Sequence, residues 1–177
     1  MITGEMIAHL KKQYAEAGAE EERLRSMSGS RLTEYIIEQY HQPEREMLAS
    51  IDDAWQQVPP RKQRKEQYHH VYALFVELRS MLTEHFAIEE AEVFPLTAGT
   101  DSGRVELLTA QMELEHGEAE RKIEEMNQAA EYFLPDQKDP EEIQAFYRKM
   151  AELFAHIKKH VDCENNILFP KMQQELK

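Results

Sequence analysis

Four histidines and two glutamates recur along this chain at a spacing that suits metal binding. They are His41, His85, Glu89, His116, His160 and Glu164. The stretches HFAIEEAEVFP, residues 85–95, and HVDCENNILFP, residues 160–170, share a histidine, a glutamate four residues later and a Phe-Pro pair. Another histidine lies 44 residues before each stretch. The chain therefore repeats one arrangement, a histidine followed by His-x-x-x-Glu, in its two halves.

Residues four apart share one face of an α-helix, one turn and about 6 Å apart. Four helices with these faces inward would bring all six groups together. Burying so many polar groups costs free energy unless a bound partner, such as a metal pair, satisfies them. Imidazole with carboxylate suits iron, manganese or zinc. An isolated HxxxE is common on helices, but the matched repeat predicts a two-metal centre. Glu89 and Glu164 would bridge the ions, with two histidines on each and room for an oxo bridge, water, dioxygen or nitric oxide.

Composition narrows the class of protein. Of the 177 residues, 31% are charged and only 6 are glycine, which favours helix. The net charge of −13 argues against nucleic acid and anionic membrane as partners. The one cysteine, Cys163, excludes an internal disulfide and fits the reducing cytoplasm. No apolar run is long enough to cross a membrane, and no signal peptide is visible.

Turn signals divide the chain into four long helical segments, expected over residues 30–58, 62–92, 103–132 and 139–168. The turns are VPPR at 58–61, FPLTAGTDSGR at 94–104 and FLPDQKDPEE at 133–142, where Asp139 is expected to cap a helix. FPK at 169–171 is expected to end the last helix. We predict an all-α fold, an up-down-up-down antiparallel four-helix bundle over residues 30–177, with a short N-terminal helical arm over 1–29.

Other residues near the repeat have more than one interpretation. His156 lies one helical turn before the last repeat histidine, and either binds metal, hydrogen-bonds a ligand or is a polar core neighbour. Glu115 either orients a ligand, lines an access path or is an exposed acid. Cys163 is either redox-active or a small buried hydrophobe, the simpler role. Tyr40 and Phe169 are expected to wall the pocket.

These residues resemble the hemerythrin-like (HHE cation-binding) family, and more narrowly the RIC proteins that repair iron centres under nitrosative and oxidative stress. The matching stretches are YHQPERE, LTEHFAIEEAEVFP, ELEHGEAE and HVDCENNILFP, within residues 31–172. The resemblance implies two iron ions, in preference to manganese or zinc, in an oxo- or hydroxo-bridged pair. It also implies that the six repeat residues are the ligands.

Three departures from the family pattern bear on function. The small N-terminal domain with a cysteine pair that RIC proteins usually carry has no counterpart here, which puts repair activity in doubt. Oxygen-carrying hemerythrins have His-x-x-x-His on the third helix, where this chain has Glu120, either a further acid near the ions or a partner of Arg45. The extra RIC histidine has no match, because His69 and His70 lie about 24 Å along the helix from the pattern.

Three functions follow from the sequence. The first is a di-iron stress protein that binds nitric oxide, dioxygen or reactive oxygen species, repairs iron–sulfur clusters or donates iron to damaged iron–sulfur proteins. The second is a dioxygen-binding sensor or carrier. The third is a helical interaction protein with a structural metal. The sequence leaves the oligomeric state and any enzymatic activity open.

Overall fold

The computed structural model describes residues 4–98, 101–133 and 139–174. Within these residues the chain is almost wholly helical and forms no β-strand. The α-helices are α1 Gly4–Ser26, α2 Gly29–Ile36, α3 Gln42–Gln57, α4 Pro60–Gln63, α5 Glu66–Ile88, α6 Ser102–Ala129, α7 Glu141–Cys163 and α8 Phe169–Gln174. Three π-helical turns interrupt them: π1 Ile37–His41, π2 Glu89–Val93 and π3 Glu164–Leu168. Two 3₁₀ turns span Phe94–Ala98 and Glu131–Phe133.

The predicted all-α class is confirmed. The first predicted segment forms α2, π1 and α3. The second forms α5 and π2, the third forms α6, and the fourth forms α7 and π3. None of the helices in the described ranges is long and apolar enough to cross a membrane. The long helices pack in pairs, α3 along α7 and α5 along α6. These pairs bring segments from the two halves of the chain together.

Two buried apolar clusters fill the interior. One centres on large side chains of α5 and α7, such as Phe75 and Phe146. The other joins α2, α6 and the segment that follows α7, with Leu32 and Phe169 among its fully buried members. His41 lies where the clusters meet: its ring stacks on Phe86 of the first at 4.5 Å and on Phe94 of the second at 5.5 Å. The polar residues of the repeat therefore lie between two apolar bodies.

The three π turns coincide with the repeat. His41 ends π1, while Glu89 and Glu164 begin π2 and π3. In each turn, the residue before a proline donates its N–H to the carbonyl five residues earlier; these donors are Gln42, Phe94 and Phe169. Proline lacks an N–H, and the loss of that donor favours a change of helical register. Wide turns of this kind are frequent at functional sites.

The predicted end of the last helix at 169–171 is wrong, because helix continues through α8 to Gln174. A proline is tolerated in the first turn of a helix, where its missing N–H has no partner to lose. Pro170 deprives the Asn166 carbonyl of its usual helical donor. That carbonyl instead accepts a hydrogen bond from the Arg25 guanidinium at 3.2 Å. The earlier Phe-Pro pair does lead out of its helix, through the 3₁₀ turn that ends at Ala98.

The predicted turn at 133–142 falls partly on residues 134–138, which lie outside the described residues. The predicted capping role of Asp139 is wrong. Pro140 occupies the cap position of α7, and the Asp139 carboxylate accepts a hydrogen bond from the Tyr68 hydroxyl instead. The acids Glu141 and Glu142 lie in the first turn of α7, as expected for side chains that favour the positive end of a helix.

The last turns of α1 pack against the rest of the molecule. The described side chains of residues 6–19 are exposed, whereas Leu24 is 5% exposed within the second apolar cluster. The Glu20 carboxylate accepts a hydrogen bond from the Tyr35 hydroxyl at 3.0 Å. Five residues later, the Arg25 guanidinium donates to the Asn166 carbonyl. The attachment of the arm therefore depends on residues 20–25.

We expect deletion of residues 1–18 to leave thermal stability nearly unchanged, because it removes no described buried side chain. Leu24→Ala in the full chain should instead cost about 2–3 kcal/mol, since it leaves a gap in a packed cluster. Calorimetric melting of both variants checks this. A deletion that destabilises as much as Leu24→Ala would contradict the expectation.

Candidate metal centre

The structure brings together all six residues that the repeat singled out. Two groups of four share the two glutamates, and the donor atoms within each group lie within 4.8 Å of one another. One group is His41, Glu89, His160 and Glu164; the other is His85, Glu89, His116 and Glu164. All six residues are at most 6% exposed. Each group contains two histidines from different helical segments, and both glutamates belong to both groups.

The junctions of α5 with π2 and of α7 with π3 place each glutamate near two histidines. Glu89 lies 3.3 Å from Nε2 of His85, one turn earlier on the same helix, and 3.3 Å from Nε2 of His41. Glu164 lies 3.0 Å from Nε2 of His160 and 3.1 Å from Nε2 of His116. The helical i, i+4 spacing supplies one contact of each pair, and helix packing supplies the other.

Every histidine of the cluster has an acceptor for its outer ring nitrogen. The Nδ1 partners are Glu90 for His41 at 2.7 Å, Glu115 for His85 at 2.9 Å, Asn165 for His116 at 2.9 Å and Glu44 for His160 at 3.0 Å. A histidine that donates from Nδ1 presents its Nε2 lone pair on the opposite side of the ring. This outer hydrogen bond is the usual companion of a metal-binding histidine. All four rings are therefore oriented with Nε2 inward.

The inward atoms fit metal ions better than they fit one another. Nε2 atoms face each other at 3.2 Å between His41 and His160, and at 3.0 Å between His85 and His116. Facing lone pairs repel unless a cation, a proton or a metal ion, relieves them. The carboxylate oxygens of Glu89 and Glu164 accept no hydrogen bond of normal geometry, although both are fully buried. Buried carboxylates without partners are costly, so this donor set fits two bound cations.

The pKa values of the cluster's own side chains also favour bound cations. Burial and the nearby charge of Glu164 raise the pKa of Glu89 to about 7. Burial alone would raise the pKa of Glu164, but the charges and hydrogen bonds of His160 and His116 together outweigh burial and hold that pKa well below its usual range. Burial lowers the pKa of His160, yet the charges and hydrogen bonds of Glu164 and Glu44 together raise it well above its ordinary value. The histidines thus stabilise the negative charge of Glu164, whereas burial and Glu164 oppose a negative charge on Glu89, which a bound cation would offset.

Aromatic rings and a cavity border the cluster. Tyr40 stacks on His160 with ring centroids 5.1 Å apart, and Phe169 stacks on His116 at 5.9 Å. Both residues wall the site, as predicted. A cavity of about 290 Å³ lies between α5, α6 and α7, and its lining includes His85, His116 and Glu115. A molecule of a few atoms has room beside the histidines.

The residues with several interpretations now have defined surroundings. His156 Nδ1 lies 2.8 Å from Glu44, the acceptor of His160, so His156 supports a repeat histidine through a carboxylate. Glu115 orients His85 and lines the cavity. Cys163 is buried, and burial raises the pKa of its thiol to about 12, as expected of a small buried hydrophobe.

Two surface expectations have different outcomes. Arg45 does not pair with Glu120, which is exposed; its guanidinium instead donates a hydrogen bond to the Glu90 carboxylate at 2.9 Å. His69 and His70 are exposed near the start of α5, as predicted for residues far from the cluster.

Sequence reasoning missed three of the four outer acceptors. Glu44 lies three residues after His41, so the two are neighbours on one helix face. This spacing could have indicated that Glu44 lies near the cluster. Glu90 and Asn165 each directly follow a repeat glutamate, and each accepts from the first histidine of its own half. That shared position in both halves could have identified them. Sequence alone does not tell which ring each acceptor meets.

Comparison with known proteins agrees with a metal-binding cluster. The family model of the hemerythrin HHE cation binding domain matches residues 32–172, which include all six residues of the cluster. Among curated relatives, the iron-sulfur cluster repair protein YtfE of Musicola paradisiaca is 26% identical over 169 residues, which span 93% of this chain and 76% of that protein.

Two further relatives carry similar names. YtfE of Edwardsiella ictaluri is 27% identical over 166 residues, 92% of this chain and 75% of that protein. A probable iron-sulfur cluster repair protein of Haemophilus influenzae is 25% identical over 151 residues, 85% of this chain and 68% of that protein. With a family match across most of its length and a buried cluster of metal-binding residue types, the chain belongs to the hemerythrin HHE cation-binding domain family.

Proposed function

We propose that this protein is a non-haem di-iron protein of the nitrosative and oxidative stress response. It would bind nitric oxide or dioxygen, and repair iron–sulfur clusters or donate iron to damaged iron–sulfur proteins. The observation that carries the proposal is the convergence of four Nε2 atoms and two unpartnered carboxylates in a buried cluster. Relatives named for iron–sulfur cluster repair support the choice of process.

We propose that the six cluster residues would hold two iron ions, since Glu89 and Glu164 each belong to both groups of donors. A pair of iron ions supplies one-electron redox steps and open coordination positions for a small molecule. The protein holds the histidines by their outer hydrogen bonds and excludes bulk water with its aromatic walls. The cavity beside His85 and His116 admits a molecule the size of nitric oxide or dioxygen.

We also propose how the chain is organised around the site. Residues 30–177 would form an up-down-up-down four-helix bundle, and residues 1–29 a helical arm. The pairing of α3 with α7 and of α5 with α6, together with short connections, supports antiparallel neighbours. The exposed side chains of the first part of α1 support a separate arm. A cytoplasmic location would suit both a free cysteine and iron chemistry.

A dioxygen sensor or carrier is the second candidate, and the same cavity favours it. A helical interaction protein with a structural ion such as zinc is the third. They differ in their response to gases. A carrier forms a stable and reversible spectrum with dioxygen, whereas a structural ion leaves the visible spectrum unchanged with either gas.

Metal counting followed by gas titration tests the proposal. We expect about two iron ions per chain after aerobic purification, and a visible spectrum that changes when the reduced protein meets nitric oxide. Stoichiometric zinc with no response to either gas would contradict it.

Metal removal should also destabilise the fold. An ion present at about 1,000 times its dissociation constant contributes roughly 4 kcal/mol of stability. In a chain of this size, that corresponds to a fall in Tm of about 8–16 °C when a chelator removes it. Calorimetry with and without chelator, and after iron is returned, measures the change. An unchanged Tm would show that the cluster does not depend on a cation.

A further inference from the structure

The two halves of the cluster are enclosed to different degrees. His41 and His160, the inner pair, have aromatic rings packed flat against them: Phe86 and Phe94 on His41, and Tyr40 on His160. The outer pair, His85 and His116, is less covered. Phe169 stacks on His116, and the closest aromatic contact of His85 outside the histidines is the edge of Phe86, at 6.2 Å.

Access from solution also favours the outer pair. Both outer histidines line the 290 Å³ cavity, whereas only His160 of the inner pair does so. Glu115, the acceptor of His85, lines the same cavity and its side chain is 29% exposed. Glu44, the acceptor of His160, is fully buried, and Glu90, the acceptor of His41, is 32% exposed but does not line this cavity. Water and small solutes therefore approach the outer pair first.

The residues that accept from Nδ1 of the histidines differ in charge at one matched position. In each half of the chain, the residue after the repeat glutamate accepts from the first histidine of that half. Glu90 does so for His41, and Arg45 holds its carboxylate in place. The corresponding residue for His116 is Asn165, a neutral amide. A carboxylate acceptor makes an imidazole a stronger donor to a metal ion, and its loss typically weakens binding about 10- to 100-fold. His116 lacks that support.

We propose that His85 and His116 hold the exchangeable ion of the pair, and that the neutral amide of Asn165 keeps it exchangeable. This rests on the proposed two-metal site. It deepens that proposal by naming which half gives up iron, while the enclosed histidines His41 and His160 retain the second ion. A protein built in this way can hand over one ion and keep a folded, half-loaded site.

Chelator challenge of protein loaded anaerobically with two ferrous ions per chain tests the proposal. We expect release in two phases of equal amplitude, one ion in each. Asn165→Asp should slow the fast phase about 10- to 100-fold and leave the slow phase unchanged. Asn166→Asp is the matched control, because it adds the same charge at the next position. The Asn166 side chain is exposed, and within the described part of the chain its amide donates to the Asp162 carbonyl alone, so both phases should match the unsubstituted protein.

The position of the ion that remains bound is checked without any variant. Protein stopped after the fast phase and crystallised should show anomalous scattering from iron between His41 and His160. Release of both ions in one phase, or retention between His85 and His116, would overturn the proposal, as would equal slowing by Asn166→Asp. A protein that never binds two ions would instead contradict the proposed function and this inference with it.

Discussion

Glu89→Gln is expected to weaken metal binding by more than about 100-fold while it stabilises the metal-free protein. Loss of an outer acceptor alone weakens metal affinity about 10- to 100-fold, and Glu89 faces both groups of donors. In the metal-free protein its carboxylate is buried without a hydrogen-bond partner. An uncharged amide of the same size removes that cost. Opposite signs for affinity and stability distinguish a metal ligand from an ordinary polar core residue.

The stabilisation should depend on pH. Burial and the charge of Glu164 raise the pKa of Glu89 from about 4.5 in the unfolded chain to about 7 in the fold. Between these values the folded state keeps a proton that the unfolded state has lost, so the wild-type protein loses stability as pH rises. Glutamine has no such loss. The advantage of the metal-free variant should be small near pH 4.5 and reach about 3 kcal/mol above pH 7.

Denaturant melts at both pH values, with and without iron, measure these effects. Glu92→Gln is the matched control, since Glu92 lies in the same π turn but is exposed and paired with Arg104. It should change neither affinity nor stability appreciably. A Glu89→Gln protein that binds two ions normally, or whose metal-free form is less stable than wild type above pH 7, would refute the assigned role.

Phe86→Ala is expected to cost about 3–5 kcal/mol of stability and also to weaken metal binding about 10-fold. Phe86 is fully buried, and its ring lies 4.5 Å from that of His41 and 5.8 Å from that of His160. Truncation leaves a cavity against both rings of the inner pair. The rings then lose the packing that fixes their direction, so part of the ligand geometry is lost with the core contact.

Phe75→Ala separates the two effects. Phe75 is also fully buried on α5, but it packs in the apolar cluster near Tyr72, and among the described residues its ring stacks on no histidine of the site. It should cost a similar 3–5 kcal/mol and leave metal affinity unchanged. Isothermal titration with ferrous iron, at a temperature where both variants remain folded, gives the comparison. Equal affinities in the two variants would mean that Phe86 contributes only to the core.

The convergence of six polar residues could be predicted because helical geometry and a repeated interval encode it. Residues four apart share a face, and the common interval of 44 residues places the remaining histidines at matching depth. The all-α class followed from composition and helical spacing. The outer acceptors were harder to predict, because they depend on which helices become neighbours. Arg45 illustrates this: spacing suggested Glu120, but packing gives it Glu90.

The π turns could not be predicted from regular helical spacing. In an α-helix, residues five apart lie about 140° from each other around the axis, which would separate Phe94 from Glu89 and Phe169 from Glu164. The wider turns change that angle, and both phenylalanines lie against histidines of the site. The Phe-Pro pairs, first interpreted as helix ends, mark these turns.

A π turn is a helix with one residue more than the regular ladder needs. Five residues of π-helix rotate the chain through roughly the same angle as four residues of α-helix, about 400°. Removal of Asn166 would therefore let the helix close as regular α and leave Phe169 facing His116, whereas an added residue would rotate everything after it by about 100°. Among natural variants of this chain, π2 and π3 should therefore lose one residue, or accept substitutions at exposed positions such as Asn166, more often than they gain a residue.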